Sequence, residues 1–202
     1  SADGATTNNS TRAWDFAMVS LQWIKTAAAA PTFTLNSYRW YVDSDALDVT
    51  DPWGNPDIAQ ATAIAPLPAA NDPPGPTQEL RLRVNFTVNT ANLSASSQQF
   101  KLQYKAGTDA SCTTGSWTDA GAGGGGTIWR FATSAVTDGT TLTISRLSPA
   151  SDVLEVYAKA NPSATNPNAA TVGQEIEYDF HIEQNGAAEA TQYSFRAVES
   201  DG

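Results

Sequence analysis

Leu80-Arg81-Leu82-Arg83-Val84-Asn85-Phe86-Thr87-Val88 is the stretch on which the fold turns. Every second residue is apolar, and Arg81, Arg83, Asn85 and Thr87 fall on the opposite side. A period of two is that of an extended chain with one face toward a core. The same alternation returns in Phe100-Lys101-Leu102-Gln103-Tyr104-Lys105, in Thr127-Ile128-Trp129-Arg130-Phe131, and in Glu175-Ile176-Glu177-Tyr178-Asp179-Phe180-His181-Ile182-Glu183. Thr191-Gln192-Tyr193-Ser194-Phe195-Arg196-Ala197-Val198 adds another strand, and Val153-Leu154-Glu155-Val156-Tyr157 a shorter one. Leu142, Ile144 and Leu147 alternate in the same way. Upstream, Thr32-Phe33-Thr34-Leu35 and Tyr38-Arg39-Trp40-Tyr41-Val42 form a first strand with an irregularity at Asn36-Ser37. Seven or eight short strands with turn signals between them predict an all-β chain folded as a β-sandwich.

The segments between strands carry turn chemistry. A long Pro-, Asp- and Ala-rich connection runs from Asp43 to Pro76, with Asp51-Pro52-Trp53-Gly54-Asn55-Pro56 and Asp72-Pro73-Pro74-Gly75-Pro76 inside it. The glycines at 121, 123, 124, 125 and 126 form a loop that reads as flexible. A phosphate-binding loop needs a following Lys-Ser/Thr and a helix N-terminus, and neither is present.

Composition bounds the function. The 202 residues carry a formal net charge of −10 and a pI near 4.3, with charged residues at only 16%. A nucleic-acid backbone would be repelled, and no basic patch offsets the repulsion. No apolar run reaches the roughly 18–20 residues that span a bilayer, so no membrane insertion of the mature chain is expected. The start at Ser1, without a basic and apolar leader, is that of a processed chain or an excised one. A Lys-poor, Thr/Asn/Gly-rich surface with sequons at Asn8, Asn9, Asn85 and Asn92 suits an extracellular, cell-surface location. The one cysteine, Cys112, sits in a turn-like segment without a nearby base and reads as an unpaired loop thiol.

Before the strands comes an arm. Residues 1–31 comprise a polar start, the apolar run from Arg12 to Lys25, and an Ala-rich linker ending at Pro31. Trp14, Phe16 and Met18 alternate on one face, after which the apolar phase shifts to Val19, Leu21 and Trp23. That is a strand with a bulge in mid-arm. Helical spacing of Trp14, Met18, Leu21 and Lys25 is the competing reading, against which the aromatic and β-branched content weighs. Residues 32–202 form the sandwich domain.

The last strand, with Tyr193 ahead of Phe195-Arg196-Ala197-Val198, resembles strand F of immunoglobulin and fibronectin type III-like domains. Together with Ser37–Asp43, Phe100–Tyr104 and Gly126–Arg130, it is similar to a β-sandwich module of large secreted and surface proteins of environmental bacteria. The resemblance implies an immunoglobulin-like Greek-key sandwich whose motifs are structural. Such modules often carry a Cys where this chain has Ser194, which leaves Cys112 without the partner the resemblance would supply. They also continue past the Ser200-Asp201-Gly202 turn with one more strand. A sandwich short of its last strand is stabilised by a strand from elsewhere. The arm, through Trp14, Phe16, Met18, Val19, Leu21 and Trp23, is the candidate donor, inserted into a neighbouring copy. Head-to-tail repetition yields an open filament, pilus-like, with the chain itself as partner. Two other readings fit the same sequence: a monomeric adhesion or carbohydrate-binding module whose arm folds back, and a viral capsid or tail decoration protein. Trp53 and Trp117, beside turns, are the candidate sugar platforms, while Trp40 and Trp129 belong to the core.

Chemistry-bearing residues are few. No Ser-His-Asp context or nucleophile elbow occurs, so the chain reads as non-enzymatic, without catalytic residues or cofactor. Asp43, Asp45, Asp48 and Asp51, with Asp57 beyond, supply the oxygens a Ca²⁺ site requires, although their spacing is not that of an EF-hand. Asp179, His181 and Glu183 share one strand face at intervals of about 6.5–7 Å, within reach of a shared metal. A solvated polar face is the simpler expectation for them.

Overall fold

The computed structural model describes residues 29–50, 52, 60, 79–107, 112–188 and 191–201, and these form strands and loops with no helix. The arm residues Trp14, Phe16, Met18, Val19, Leu21 and Trp23 lie outside the described residues, as do Asp51, Trp53 and Asp57. Eight strands follow in order: β1 (Thr32–Val42), β2 (Glu79–Asn89), β3 (Phe100–Ala106), β4 (Thr118–Asp119), β5 (Trp129–Phe131), β6 (Val153–Ala158), β7 (Glu175–Gln184) and β8 (Tyr193–Glu199). One sheet runs β1-β2-β7-β5, and β6 joins β7 in parallel beside β5; the other sheet runs β4-β3-β8. All other pairings are antiparallel.

Register explains the core. In the β2–β7 ladder Leu80 faces Ile182, Leu82 faces Phe180, Val84 faces Tyr178 and Phe86 faces Ile176, so one side of the sheet is wholly apolar. These eight residues are at most 5% exposed. The second sheet presents Phe100, Leu102 and Tyr104 to them. Phe100 is the pivot: its ring stacks on Phe86 at 4.9 Å and meets Tyr178 and Phe33 edge-on at 5.0 and 5.1 Å. Two sheets closing on one apolar layer is the arrangement of a β-sandwich.

The irregularity at Asn36-Ser37 is a β-bulge, with the β1–β2 register shifting between Leu35 and Ser37. Phe33 and Leu35 pair with Val88 and Phe86; beyond the bulge Tyr38, Trp40 and Val42 pair with Val84, Leu82 and Leu80. The extra residue changes the parity of β1, so its apolar side chains stay on one face through the slip.

Leu142, Ile144 and Leu147 do not form the strand that their alternation predicts. The segment meets β6 only at its start, through the Thr141–Val156 bridge and the backbone bonds of Gly139, Thr140 and Leu142 to Glu155 and Tyr157. Beyond Leu142 the backbone groups go to side chains instead: Ile144 N donates to Asp48, Arg146 N donates to Glu177, and Ile144 O accepts from Arg83. A chain whose amides serve charged side chains has none left for a ladder.

Phe100→Ala is expected to lower unfolding stability by about 3–5 kcal/mol in urea melts. Ile144→Ser, at a side chain 46% exposed, is expected to stay within about 0.5 kcal/mol of the parent.

Candidate functional site

The polar side of β2 and β7 is not solvated. Arg81, Arg83, Asn85, Glu177, Asp179 and His181 are all 0% exposed, which overturns the expected water-facing surface. Alternation separates the two sides of the sheet, but it does not say what lies over the second. Here a roof of irregular chain, residues 43–50 and 143–151, covers it, and the side chains beneath are paired with one another and with the roof.

Arg81 shows how closely. Its Nε and Nη2 donate to the two carboxylate oxygens of Asp179 at 3.0 and 2.6 Å. Its Nη1 donates to Asp43 Oδ1 at 3.0 Å and to Ala46 O at 2.8 Å, and Nη2 also to Leu47 O at 2.9 Å. All five guanidinium N–H groups are thus engaged. The Tyr157 ring lies under the guanidinium at 4.5 Å. Burial alone would lower the Arg81 pKa, but the charge and hydrogen bonds of Asp179 and Asp43 raise it above its ordinary value.

Arg83 repeats the motif one step along. Its Nη1 donates to Glu177 Oε1 at 2.7 Å, its Nη2 reaches Asp48 at 3.4 Å, and its Nε stands 2.7 Å from Asp179 Oδ2. That last contact is ionic, since the N–H is not aligned for a hydrogen bond. Direct cross-strand neighbours are Arg81 with His181 and Arg83 with Asp179, so the Arg81–Asp179 and Arg83–Glu177 pairs are diagonal. Ser145 and Ser151 hydroxyls and the Arg146 amide complete the Glu177 carboxylate.

Of the Ca²⁺ candidates, Asp43, Asp45 and Asp48 are described and make separate contacts, while Asp51 and Asp57 lie outside the described residues. Asp48 turns to the Thr143 hydroxyl, Ile144 N and Arg83. Burial raises its pKa, and the bonds from Thr143 and Arg83 outweigh that, leaving it below the ordinary value. Asp45, at φ +54°, donates its backbone N–H to Asp43 Oδ2 at 2.9 Å. Asp43 reaches the strand ends, where it meets Arg81 of β2 and His181 of β7. The trio Asp179, His181 and Glu183 is likewise split: Asp179 serves the two arginines, Glu183 pairs with Arg130 at 2.6 Å, and His181 turns to Asp43 and Glu79.

At that corner, donor atoms of Asp43, Glu79 and His181 all lie within 4.8 Å of one another. His181 Nδ1 and the Tyr157 hydroxyl share a 2.5 Å hydrogen bond. Nε2 is 2.9 Å from Glu79 Oε2 and 3.6 Å from Asp43 Oδ1, the first out of line for a hydrogen bond and the second too long. Burial, with Asp43 and Arg81 acting in opposite senses, lowers the His181 pKa to about 4, so the ring is neutral at pH 7. Burial and the charges of Asp43, Glu183 and Asp45 push Glu79 up to about 7.

The other singled-out residues are structural. Trp129 is buried, and Trp40 packs edge-on against Phe195 at 5.1 Å. Trp117 is half-buried, with Lys105 and Arg196 over its ring at 5.0 and 4.4 Å. The glycine loop is tied to β5: Gly125 O accepts from Arg130, and Gly121 exchanges backbone bonds with Trp129 and Phe131. A Cβ at Gly121 would fall 2.0 Å from the Thr127 hydroxyl, so glycine there is a packing requirement. Cys112 lies beside β8, its Sγ 3.9 Å from Phe195 O.

No family model, curated protein or solved structure matches this chain, so function must be read from its own geometry. Glu155 offers a test of the buried polar interior. It is 0% exposed, Oε1 has no hydrogen-bond partner, and Oε2 accepts only a long bond from Asn168 N. Burial, eased slightly by that bond, raises its pKa from 4.5 to about 7. In the window between those two values the folded chain holds a proton that the unfolded chain has lost. Stability from this group is therefore full below the lower value and lost as pH rises through the upper. Urea melts of the parent and Glu155→Gln should show the parent falling relative to the variant by on the order of 3 kcal/mol from about pH 4 to about pH 8. A gap independent of pH would contradict the assignment.

Proposed function

We propose that this chain is a structural subunit of an extracellular filament. In this reading an immunoglobulin-like Greek-key sandwich is completed by segment 12–25 of the neighbouring copy, added as a strand beside β8. The observation that supports it is the uneven cover over the inner face of the large sheet. Inward residues of β2 are at most 5% exposed. Their partners on β1 are not so protected: Leu35, opposite Phe86, is 51% exposed, and Phe33, Tyr38, Trp40 and Val42 are only partly buried.

The cause lies in the opposing sheet. It has two strands of seven residues and one of two, against strands of eleven, eleven and ten in the large sheet. Among the described residues β8 has one strand partner, β3, and every β8 residue is half-buried. One further strand beside β8 would lie over the open half of β1.

The arm has the chemistry for that place. Trp14, Phe16 and Met18 supply one apolar face at strand spacing, and Leu21 and Trp23 continue it after the slip. Burying these five side chains at roughly 1.5–3 kcal/mol each stabilises the joint by on the order of 10 kcal/mol before ordering costs. Donation from copy to copy is heterologous, so it propagates unless a rotation closes a ring.

Electron microscopy and sizing of the full chain, of a variant lacking residues 1–25, and of that variant with a peptide of residues 12–25 test this reading. Filaments are expected from the full chain, loss of polymer on deletion, and one-to-one peptide binding with raised thermal stability in the third sample. A full chain that remains a 21.3 kDa monomer at high concentration, or filaments that survive the deletion, would refute donation between copies.

A further inference from the structure

Three features of the corner formed by Asp43, Glu79 and His181, taken together, point to a ligand. First, His181 Nε2 is fully buried and has no hydrogen-bond partner, an orphan a folded protein rarely leaves without reason. The atom 2.9 Å away, Glu79 Oε2, is out of line with it for a hydrogen bond. Second, the donor spacing is that of a shared cation. Two ligands of one tetrahedral ion at about 2.0–2.2 Å are about 3.3–3.6 Å apart. The two carboxylate oxygens stand 2.9 and 3.6 Å from Nε2.

Third, two of the donors are held from behind. Tyr157 fixes the imidazole through Nδ1, and the Asp45 backbone N–H fixes Asp43 through Oδ2. Groups at these positions orient metal ligands and set which ring nitrogen is free to bind. Among the described residues, the cation at this corner is Arg81, whose charge is matched by both oxygens of Asp179 and which makes a single contact to Asp43 Oδ1. That oxygen keeps a second lone pair.

We propose that Asp43, Glu79 and His181 bind a divalent first-row transition ion, with Zn²⁺ as the reference case. One imidazole nitrogen and two carboxylates suit such an ion, whereas Ca²⁺ prefers oxygen alone. Three protein donors leave a further position for water or an external ligand, on the side where the Glu79 side chain is 24% exposed. The ion ties the start of the 43–50 roof to β2 and β7. The site is independent of filament assembly and stands or falls separately from it.

The full-length protein, stripped with chelator, is titrated with Zn²⁺ by calorimetry and by metal analysis after dialysis, and its melting is followed with Zn²⁺ and with Ca²⁺. One Zn²⁺ per chain and a raised melting temperature are expected, with Ca²⁺ giving no comparable shift. Glu79→Gln and His181→Asn are each expected to weaken Zn²⁺ binding by at least about tenfold. Glu79→Gln lies at a strand start, partly exposed, and keeps the test readable where the buried His181 variant fails to fold. Absence of saturable uptake, uptake unchanged by Glu79→Gln, or equal stabilisation by Ca²⁺ would each overturn the proposal.

Discussion

Arg81 and Asp179 meet with no water between them, and much else in the sheet follows from that pair. A guanidinium and a carboxylate removed from solvent each forfeit several kcal/mol of hydration, which their mutual attraction recovers only if every remaining donor and acceptor is matched. Arg81 uses all five N–H groups, two on Asp179, one on Asp43 and two on main-chain carbonyls of Ala46 and Leu47. The irregular segment 43–50 is therefore held in place by the charges it covers. Arg83, with Glu177 and the 143–146 segment, does the same a step further along the strands.

This arrangement gives the large sheet two interiors. One is apolar and closed by the β4-β3-β8 sheet; the other is ionic and closed by loops. The first supplies hydrophobic stabilisation in proportion to buried area. The second is indifferent or costly in net energy, and its contribution is specificity: arginines at successive inward positions accept the opposing strand in one register only. The same roof brings Asp43 to the end of β2, where Glu79 and His181 wait, so the candidate metal corner is a by-product of covering Arg81.

Much of the first interior is legible in the sequence. Strict alternation in 80–88 and 175–183 locates β2 and β7, and the break at Asn36-Ser37 locates the bulge in β1. The second interior is not, because a period of two distinguishes the sides of a sheet without telling what covers either. Matching charges were the available signal: Arg81 and Arg83 alternate in one strand, and Glu177, Asp179 and Glu183 alternate in another. Segments 43–50 and 142–147 take their shape from side chains far away in the chain, which overrides any local period. For that reason the alternation of Leu142, Ile144 and Leu147 does not become a strand. The metal corner joins residues from a loop and two strands, 36 to 138 positions apart by number, which no local pattern can show.

The central claim is that the polar side of β2 and β7 is a dry, paired interior. A double-mutant cycle on Arg81→Met and Asp179→Leu, read by urea unfolding, tests it most directly. Each single change should cost about 3–5 kcal/mol by leaving a buried charge alone, and the double variant should cost far less than their sum. Single effects below about 0.5 kcal/mol that simply add would mean a solvated face and would contradict the account.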